Sequence, residues 1–330
     1  MFKAIIVDRL EDKSVTLAID EISEDRLPND GEVDIAVEYS TVNYKDGLCL
    51  NGLGGLVRNY PHVPGIDFAG EVSASTDDRY AVGDKIIMTG WRGGEVRWGG
   101  YAQKANQKAD HLVPLPKGPT TREAMAIGTA GFTAMQAIMR LEEAGMSPDQ
   151  GEVLVTGAGG GVGSVATIIL AGRGYQVAAV TGRAEIGDYL TGLGASRIVT
   201  RDEMMDDSGK VLESSQWAGC IDSVGGAMLA RILKQLNYGA SLASVGNAGG
   251  AAFNATVIPF LLRGVNILGI DSVNCPFDQR VKIWGALAAE MPKHLLDELT
   301  NDIALSDVPA AGKEILDGAV KGRLVVDVNR

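Results

Sequence analysis

At 330 residues, with 45% hydrophobic and 22% charged side chains, the chain has the make-up of an ordinary globular protein and is long enough for two cores. A net charge of −12, from 42 acidic against 30 basic side chains, disfavours nucleic acid and anionic lipid as partners. No apolar run reaches the roughly 18 residues that span a bilayer, so no membrane segment is expected. Three widely spaced cysteines, Cys49, Cys220 and Cys275, imply neither a disulfide framework nor a clustered metal site, and the expected compartment is the cytoplasm.

In chain order, Met1-Phe2-Lys3-Ala4-Ile5-Ile6-Val7 runs straight into Asp8-Arg9, which reads as a first strand and not as a signal peptide. Through about residue 120, short alternating runs such as Val33-Asp34-Ile35-Ala36-Val37 are broken by Pro and Gly turns, predicting a mostly β, partly antiparallel domain. From about Glu123, short apolar runs alternate with helix-length segments, the pattern of a parallel βαβ sheet. The strands expected there are 153–156, 176–180, 197–199, 220–223, 241–245 and 266–269, enough for a doubly wound sheet. A helix is expected over 281–291. The tail at 322–328 reads as a strand with no helix after it, returning to the first domain.

The sharpest local signal is the turn after the strand Glu152-Val153-Leu154-Val155-Thr156. Ala158, Gly159, Gly160, Gly161, Val162 and Gly163 lead from it into the apolar helix beginning Ser164-Val165-Ala166. Such a turn aims backbone N–H groups and a helix dipole at a pyrophosphate. Gly160 allows close approach of the phosphates and Gly163 close packing of helix on strand, while Ala158 stands where the first glycine of the motif is usual. The next strand ends in Thr181-Gly182-Arg183, with no carboxylate for a ribose 2′-OH. Arg183 offers a bidentate fork and Thr181 a hydroxyl to a 2′-phosphate, so the expected cofactor is NADPH. Arg201, just past the third strand, is either a second cation for that phosphate or an exposed solubilising side chain.

Several segments, in matching order and spacing, resemble the medium-chain dehydrogenase/reductase superfamily over essentially the whole length. They are Val42-Asn43-Tyr44-Lys45-Asp46, Pro64-Gly65-Ile66-Asp67-Phe68-Ala69-Gly70, Val82-Gly83-Asp84, Gly128-Thr129-Ala130-Gly131-Phe132-Thr133-Ala134, the glycine turn and Gly322-Arg323. The resemblance implies an α/β chain: a GroES-like, mostly β catalytic domain over 1–124 and 297–330, and a doubly wound Rossmann nucleotide-binding domain over 125–296. Zinc alcohol dehydrogenases of that superfamily hold catalytic zinc through a Cys in the first segment and a His-Glu in the second. Here those places carry Asn43 and Ile66-Asp67, and no cysteine lies between Cys49 and Cys220 to build the family's structural zinc lobe, so no metal is expected. His62, His111 and His294 are scattered and read as structural or solvated.

This zinc-free pattern resembles the quinone-reductase branch. Asn43 to Gly47, Gly90-Trp91-Arg92, Trp98-Gly99-Gly100, the segment from Ile127 to Met135 and Trp217-Ala218-Gly219 are most similar to the acryloyl-CoA reductase subfamily. That implies NADPH-dependent reduction of an activated C=C bond in an acyl-CoA, since without a metal simple alcohols and aldehydes lack Lewis-acid activation. The family places Tyr44 beside the nicotinamide, as a hydrogen-bond or proton donor or as a packing surface, with water the alternative proton source. Asn43 and Asp46 read as fixing the loop, and Asp67 as holding a turn or as a solvated carboxylate. Asn247, in the Gly246-Asn247-Ala248 loop, and Ser272 follow the fifth and sixth strands and are expected on the nicotinamide half. Arg323 is a candidate for a cofactor phosphate or the substrate. Arg58, Arg92 and Arg97, together with Asn43, are candidate contacts for the acyl-CoA. Two other readings stay open, a quinone reductase and a non-enzymatic, crystallin-like NADPH-binding protein. A homodimer is expected if the strand 266–269 is a sheet edge that pairs with its copy.

Overall fold

The structure, a computed structural model, describes residues 1–206 and 208–330. Strands β1 (Phe2–Arg9) and β2 (Val15–Ile22) form an antiparallel hairpin. They are followed by β3 (Val33–Thr41), helix α1 (Tyr44–Leu50), β4 (Asp67–Ser75), β5 (Lys85–Thr89), β6 (Lys104–Gln107), β7 (Leu112–Pro114) and helix α2 (Thr121–Glu143). Next come β8 (Glu152–Val155), α3 (Gly161–Gly172), β9 (Gln176–Thr181), α4 (Gly187–Gly192), β10 (Arg197–Thr200), α5 (Arg201–Met205), β11 (Trp217–Asp222), α6 (Gly226–Gln235), β12 (Leu236–Ser244), α7 (Ile258–Arg263) and β13 (Asn266–Gly269). The chain closes with α8 (Phe277–Glu290), α9 (Lys293–Glu298), β14 (Thr300–Ala304), α10 (Val308–Glu314) and β15 (Arg323–Asp327).

Two compact units result, one made of Met1–Thr129 and Ser272–Arg330, the other of Ala130–Asp271. In the first, the strand order is β14-β15-β3-β4-β5-β7, with β6 also paired to β3. The tail strand β15 does return, pairing antiparallel with β3 through Val325–Thr41 and Val326–Ser40. The alternation read at 33–37 is the period-two signature of a half-buried strand: Val33, Ile35 and Val37 are buried while Asp34 and Ala36 are less so. They join Ile5, Phe68, Val72, Ile86, Met88, Leu112 and Val326 in one apolar core.

The second unit is an all-parallel sheet in the order β10-β9-β8-β11-β12-β13. Its strands read as continuous apolar runs because helices cover both faces, and Leu154, Ala178, Cys220 and Leu242 are fully enclosed. All the expected strands are present; β11 begins earlier, at Trp217, and β12 at Leu236, where polar and glycine residues hide the strand from a hydrophobicity reading. The strand order reverses between β8 and β11, the switch point at which ligands bind in such sheets.

The compact unit of Ala130–Asp271 is narrower than the expected nucleotide-binding segment of 125–296. Helix α8 shows why, because its Arg280, fully buried, donates to the Thr89 carbonyl (2.8 Å) and hydroxyl (3.1 Å) and to the Ser272 carbonyl (2.9 Å). A buried guanidinium must satisfy its N–H groups, and here the acceptors lie in the first unit.

Candidate active site

In the nucleotide-binding unit, the turn between β8 and α3 is closed by its own backbone. Ala158 N donates to Val180 O (3.1 Å) and Gly160 N to Gly157 O (3.0 Å), so these two N–H groups hold the turn and are not presented to a ligand. Ala158 and Gly160 thus shape the turn with their own N–H groups, and what Gly160 offers a phosphate is room for approach and not a donor. The first intrahelical bond of α3 is Ser164 N to Gly160 O (2.9 Å), which leaves the N–H groups of Gly161, Val162 and Gly163 without a helical acceptor and directed at the switch point. A Cβ on Gly163 would lie 2.5 Å from Gly157 O and 2.6 Å from Ala158 Cα, so only glycine lets the helix approach the turn this closely.

At the end of β9, Thr181 Oγ1 accepts from Arg183 N (3.0 Å), bending the chain so that the Arg183 guanidinium comes beside the turn, its Nη2 3.0 Å from where a Gly159 Cβ would sit. Arg201, the first residue of α5, lays its guanidinium over Gly182, where a side chain would collide with it. Arg183 and Arg201 thus each bring a guanidinium to the end of β9. Asn247 is exposed in a loop pinned by Gly249 N to Val224 O (2.7 Å) and Ala248 N to Ser223 O (3.3 Å).

In the other unit, α1 starts with a reciprocal cap. Asp46 Oδ2 accepts from Asn43 N (2.8 Å) and Asn43 Nδ2 (3.2 Å), and Asp46 Oδ1 from Ile66 N (2.8 Å). Asn43 also donates to Asp67 Oδ2 (2.9 Å), which receives Thr129 N (2.7 Å), while Thr129 Oγ1 donates to Asp67 Oδ1. Arg323, 2% exposed, donates to Ala126 O (2.8 Å), Asn43 Oδ1 (3.2 Å) and Thr41 Oγ1 (2.7 Å). One Asn43 amide thus bridges a buried carboxylate and a buried guanidinium. Gly128, with φ of 52°, is the kink inside α2, and a Cβ there would meet Arg323 Nη2 at 2.6 Å and Asp67 Oδ2 at 2.9 Å.

These placements change the ligand-contact readings of Arg323 and Asn43 and select the first of the two readings of Asp67. Arg323 is enclosed and committed to protein acceptors, so it organises this network and is not presented to a phosphate. Asn43 is likewise committed, to Asp46, Asp67 and Arg323, and Asp67 is fully buried and not solvated. Burial and the nearby Asp67 charge push the Asp46 carboxyl up to about 7, against the pull of its N–H donors. Burial likewise raises Asp67, opposed by the Thr129 donors and the Arg323 charge.

Tyr44, on the first turn of α1, is 45% exposed, and its hydroxyl has no hydrogen-bond partner among the described residues. Ser272 turns its carbonyl to Arg280. Of the arginines considered for substrate, Arg97 is held by Asp30 (2.8 Å), Arg92 faces Glu95 (3.5 Å) and Arg58 is exposed without a partner among the described residues. His62 is buried, His294 exposed, and His111 stacks on Trp91 (5.2 Å between rings). Sequence reading passed over Thr41, Lys45 and Glu95. In the sequence only an acid flanked by basic residues, Glu95 between Arg92 and Arg97, marks any of them.

Residues 29–117 match the alcohol dehydrogenase GroES-like domain and residues 161–288 the zinc-binding dehydrogenase domain. Over 330 residues, all of both chains, the sequence is 61% identical to the acrylyl-CoA reductase AcuI of Ruegeria pomeroyi. The structure of Escherichia coli YhdH with bound NADPH superimposes with a TM-score of 0.96 at 44% identity, covering 99% of this chain and 100% of that one. Bacillus subtilis YhfP, described as a putative quinone oxidoreductase and solved with NAD bound, gives a TM-score of 0.95 at 45% identity over 99% of each chain. The chain belongs to the medium-chain dehydrogenase/reductase superfamily, in the quinone-oxidoreductase-like family that includes the AcuI acrylyl-CoA reductases.

Zinc, implied by the name of the second domain family, does not fit the donors in place. Asn43 and Ile66 offer no thiolate or imidazole, and both Asp67 oxygens accept bonds from Thr129, one of them from Asn43 as well. Among the described residues no three His, Cys, Asp or Glu side chains form a metal-ligand group. NADPH does fit: the glycine turn leaves room for a pyrophosphate, and Arg183 and Arg201 bring positive charge to the end of β9.

The buried acids make a pH prediction. Asp46 titrates near 7 in the fold against 3.8 for a free side chain, so between those values the folded state binds more protons and this group's contribution to stability falls as pH rises. Urea melts of wild type and Asp46→Asn are expected to show the difference in unfolding free energy moving against wild type across that window. A pH-independent difference would mean that Asp46 stays ionised.

Proposed function

We propose that this chain is an NADPH-dependent reductase of the C=C bond of an α,β-unsaturated acyl-CoA, converting acryloyl-CoA to propanoyl-CoA. The observation that carries the reading is the 61% identity, across the full length of both chains, to an acrylyl-CoA reductase. The site chemistry agrees with it. Where zinc-dependent relatives polarise an alcohol oxygen, this chain has a closed hydrogen-bond network, and reduction of a conjugated thioester needs no Lewis acid.

NADPH, when bound, supplies the hydride that adds to the β-carbon of the thioester. The chain's part is to hold, orient and protonate. The N–H groups of Gly161, Val162 and Gly163 are assigned to the pyrophosphate, with Gly159 leaving room beside it. Thr181, Gly182, Arg183 and Arg201 are assigned to the 2′-phosphate end, and Asn247 and Ser272 to the nicotinamide half. Tyr44 is assigned to the thioester: its free hydroxyl donates a hydrogen bond to the oxygen that becomes an enolate, and passes a proton to the α-carbon. Water is the alternative proton source.

A second reading, quinone reduction, is favoured by the description of Bacillus subtilis YhfP. NADPH oxidation followed in parallel with acryloyl-CoA, crotonyl-CoA and a benzoquinone separates the two, and turnover of the quinone alone would overturn the thioester reading. Tight NADPH binding with no turnover on any of them would leave the crystallin-like reading.

Arg183→Ala and Arg201→Ala are each expected to raise KM for NADPH by roughly tenfold or more, the value of a charge-assisted hydrogen bond, while NADH kinetics change little. Equal effects on both cofactors would contradict the 2′-phosphate assignment. Tyr44→Phe is expected to lower kcat by about a hundredfold if the hydroxyl is the proton donor, and to leave it nearly unchanged if water is.

No helix is long and apolar enough to cross a membrane among the described residues. Within this reading the protein is cytoplasmic and homodimeric. Among the described residues strand β13 ends its sheet with an unpaired edge, and Val257, Leu261 and Leu262 just before it in the chain are exposed. Size-exclusion chromatography with light scattering is expected to return twice the chain mass, and a monomeric mass would remove the edge-pairing proposal.

A further inference from the structure

The loop after β5 carries the most unusual backbone in the chain. Trp91 (φ 51°) and Arg92 (φ 58°) are consecutive non-glycine residues in the left-handed region, and the only other such residue among those described is Lys13. Left-handed backbone at two bulky residues in a row is costly and persists only where surroundings over-determine it, as they do at binding sites. Here the loop is pinned throughout. Trp91 N donates to Val273 O (2.9 Å), and the indole stacks on His111 (5.2 Å) with the Arg280 guanidinium over its ring (5.2 Å). Gly94 N donates to Arg97 O (2.8 Å), and Val96 N to Arg92 O (3.0 Å).

The strained loop delivers Glu95, 4% exposed, to a point where it meets two cations from separate segments. Its Oε1 lies 2.9 Å from Lys45 Nζ, and its Oε2 3.5 Å from Arg92 Nε. Both cationic side chains remain open to solvent, at 39% and 42% exposure. One cation suffices to compensate a buried carboxylate, so the second is surplus to folding and leaves a net positive charge in a chain of net charge −12. Lysine has three N–H donors and arginine five, of which Glu95 occupies few, and both side chains keep solvent-open surface where such donors can meet a phosphate. Lys45 directly follows Tyr44 on the first turn of α1. The other basic candidates lack this construction: Arg97 is paired with Asp30, and Arg58 has no partner among the described residues.

We propose that Lys45 and Arg92, paired by the buried carboxylate of Glu95, form the subsite for the diphosphate of the coenzyme A portion of the substrate, with Glu95 as the positioning residue. This rests on the acyl-CoA reading of the function, which it deepens.

The test compares acryloyl-CoA with acryloyl-pantetheine, which has the same reacting group and no phosphate. Lys45→Ala and Arg92→Ala are each expected to raise KM for acryloyl-CoA by roughly tenfold, leaving kcat, KM for NADPH and KM for acryloyl-pantetheine unchanged. The wild-type KM for acryloyl-CoA should climb with KCl, and the climb should flatten in the variants. Glu95→Gln should weaken acryloyl-CoA selectively too; if it does not fold, the two exposed-residue variants carry the test. Equal effects on both thioesters, or on neither, would overturn the subsite. Calorimetric titration with coenzyme A keeps the two proposals apart. If wild type reduces no thioester yet Lys45→Ala weakens coenzyme A binding, the subsite stands and the reductase reading falls; coenzyme A binding that is absent or insensitive to both variants overturns the subsite.

Discussion

Two buried carboxylates and a buried guanidinium share one asparagine. Asp46, Asp67 and Arg323 are almost wholly withdrawn from water, and Asn43 touches all three through its backbone N–H, its amide nitrogen and its amide oxygen. Desolvating a charge costs several kcal/mol per ion, and removing one partner of such a set costs about 3–5 kcal/mol, so the members cannot be exchanged singly. The network fixes where α1 begins, and therefore where Tyr44 and Lys45 emerge. It fixes the kink of α2 at Gly128, because Arg323 and Asp67 fill the space a side chain would take. It draws in strand β15, whose first residue is Arg323 itself.

The same network accounts for the chemistry proposed. A metal site at this point would need free lone pairs on soft or imidazole donors. Every carboxylate oxygen here already accepts an N–H or O–H, so the place is structural, and polarisation of the substrate falls to hydrogen bonds. Conjugated thioesters suit that constraint, since the developing charge rests on one oxygen that a neutral donor can stabilise.

The nucleotide-binding unit solves its problem differently. In the proposed assignment, backbone groups recognise the pyrophosphate common to all dinucleotides, while the choice between them rests on side chains at the end of β9 and the start of α5. Arg183 and Arg201 are separated in sequence, and β9 and β10 bring them together because their parallel register aligns Thr181 with Thr200. The proposal thereby loads discrimination on few residues of a frame that the YhdH and YhfP structures share.

Much of this was legible from the sequence. The parallel strands and the glycine turn announced themselves because each rests on local rules: apolar runs for doubly covered strands, glycines where a side chain collides. The missing zinc ligands were equally plain, being a matter of residue identity. Side-chain partnership was not. Arg323 in a Gly-Arg pair near the C-terminus reads as a phosphate ligand, and only the packing of β15 beside β3 shows that it faces Asn43 and Thr41. Glu95 and Lys45, 50 positions apart, are linked by no local pattern, and Thr129 gains its role only from the kink beside it. Sequence by itself determined the fold class, the dinucleotide and the absence of thiolate and imidazole donors, because those follow from short-range geometry and chemical type. Tertiary structure alone decided which charges are buried and which remain open to a ligand, because burial depends on what distant segments the fold lays against them.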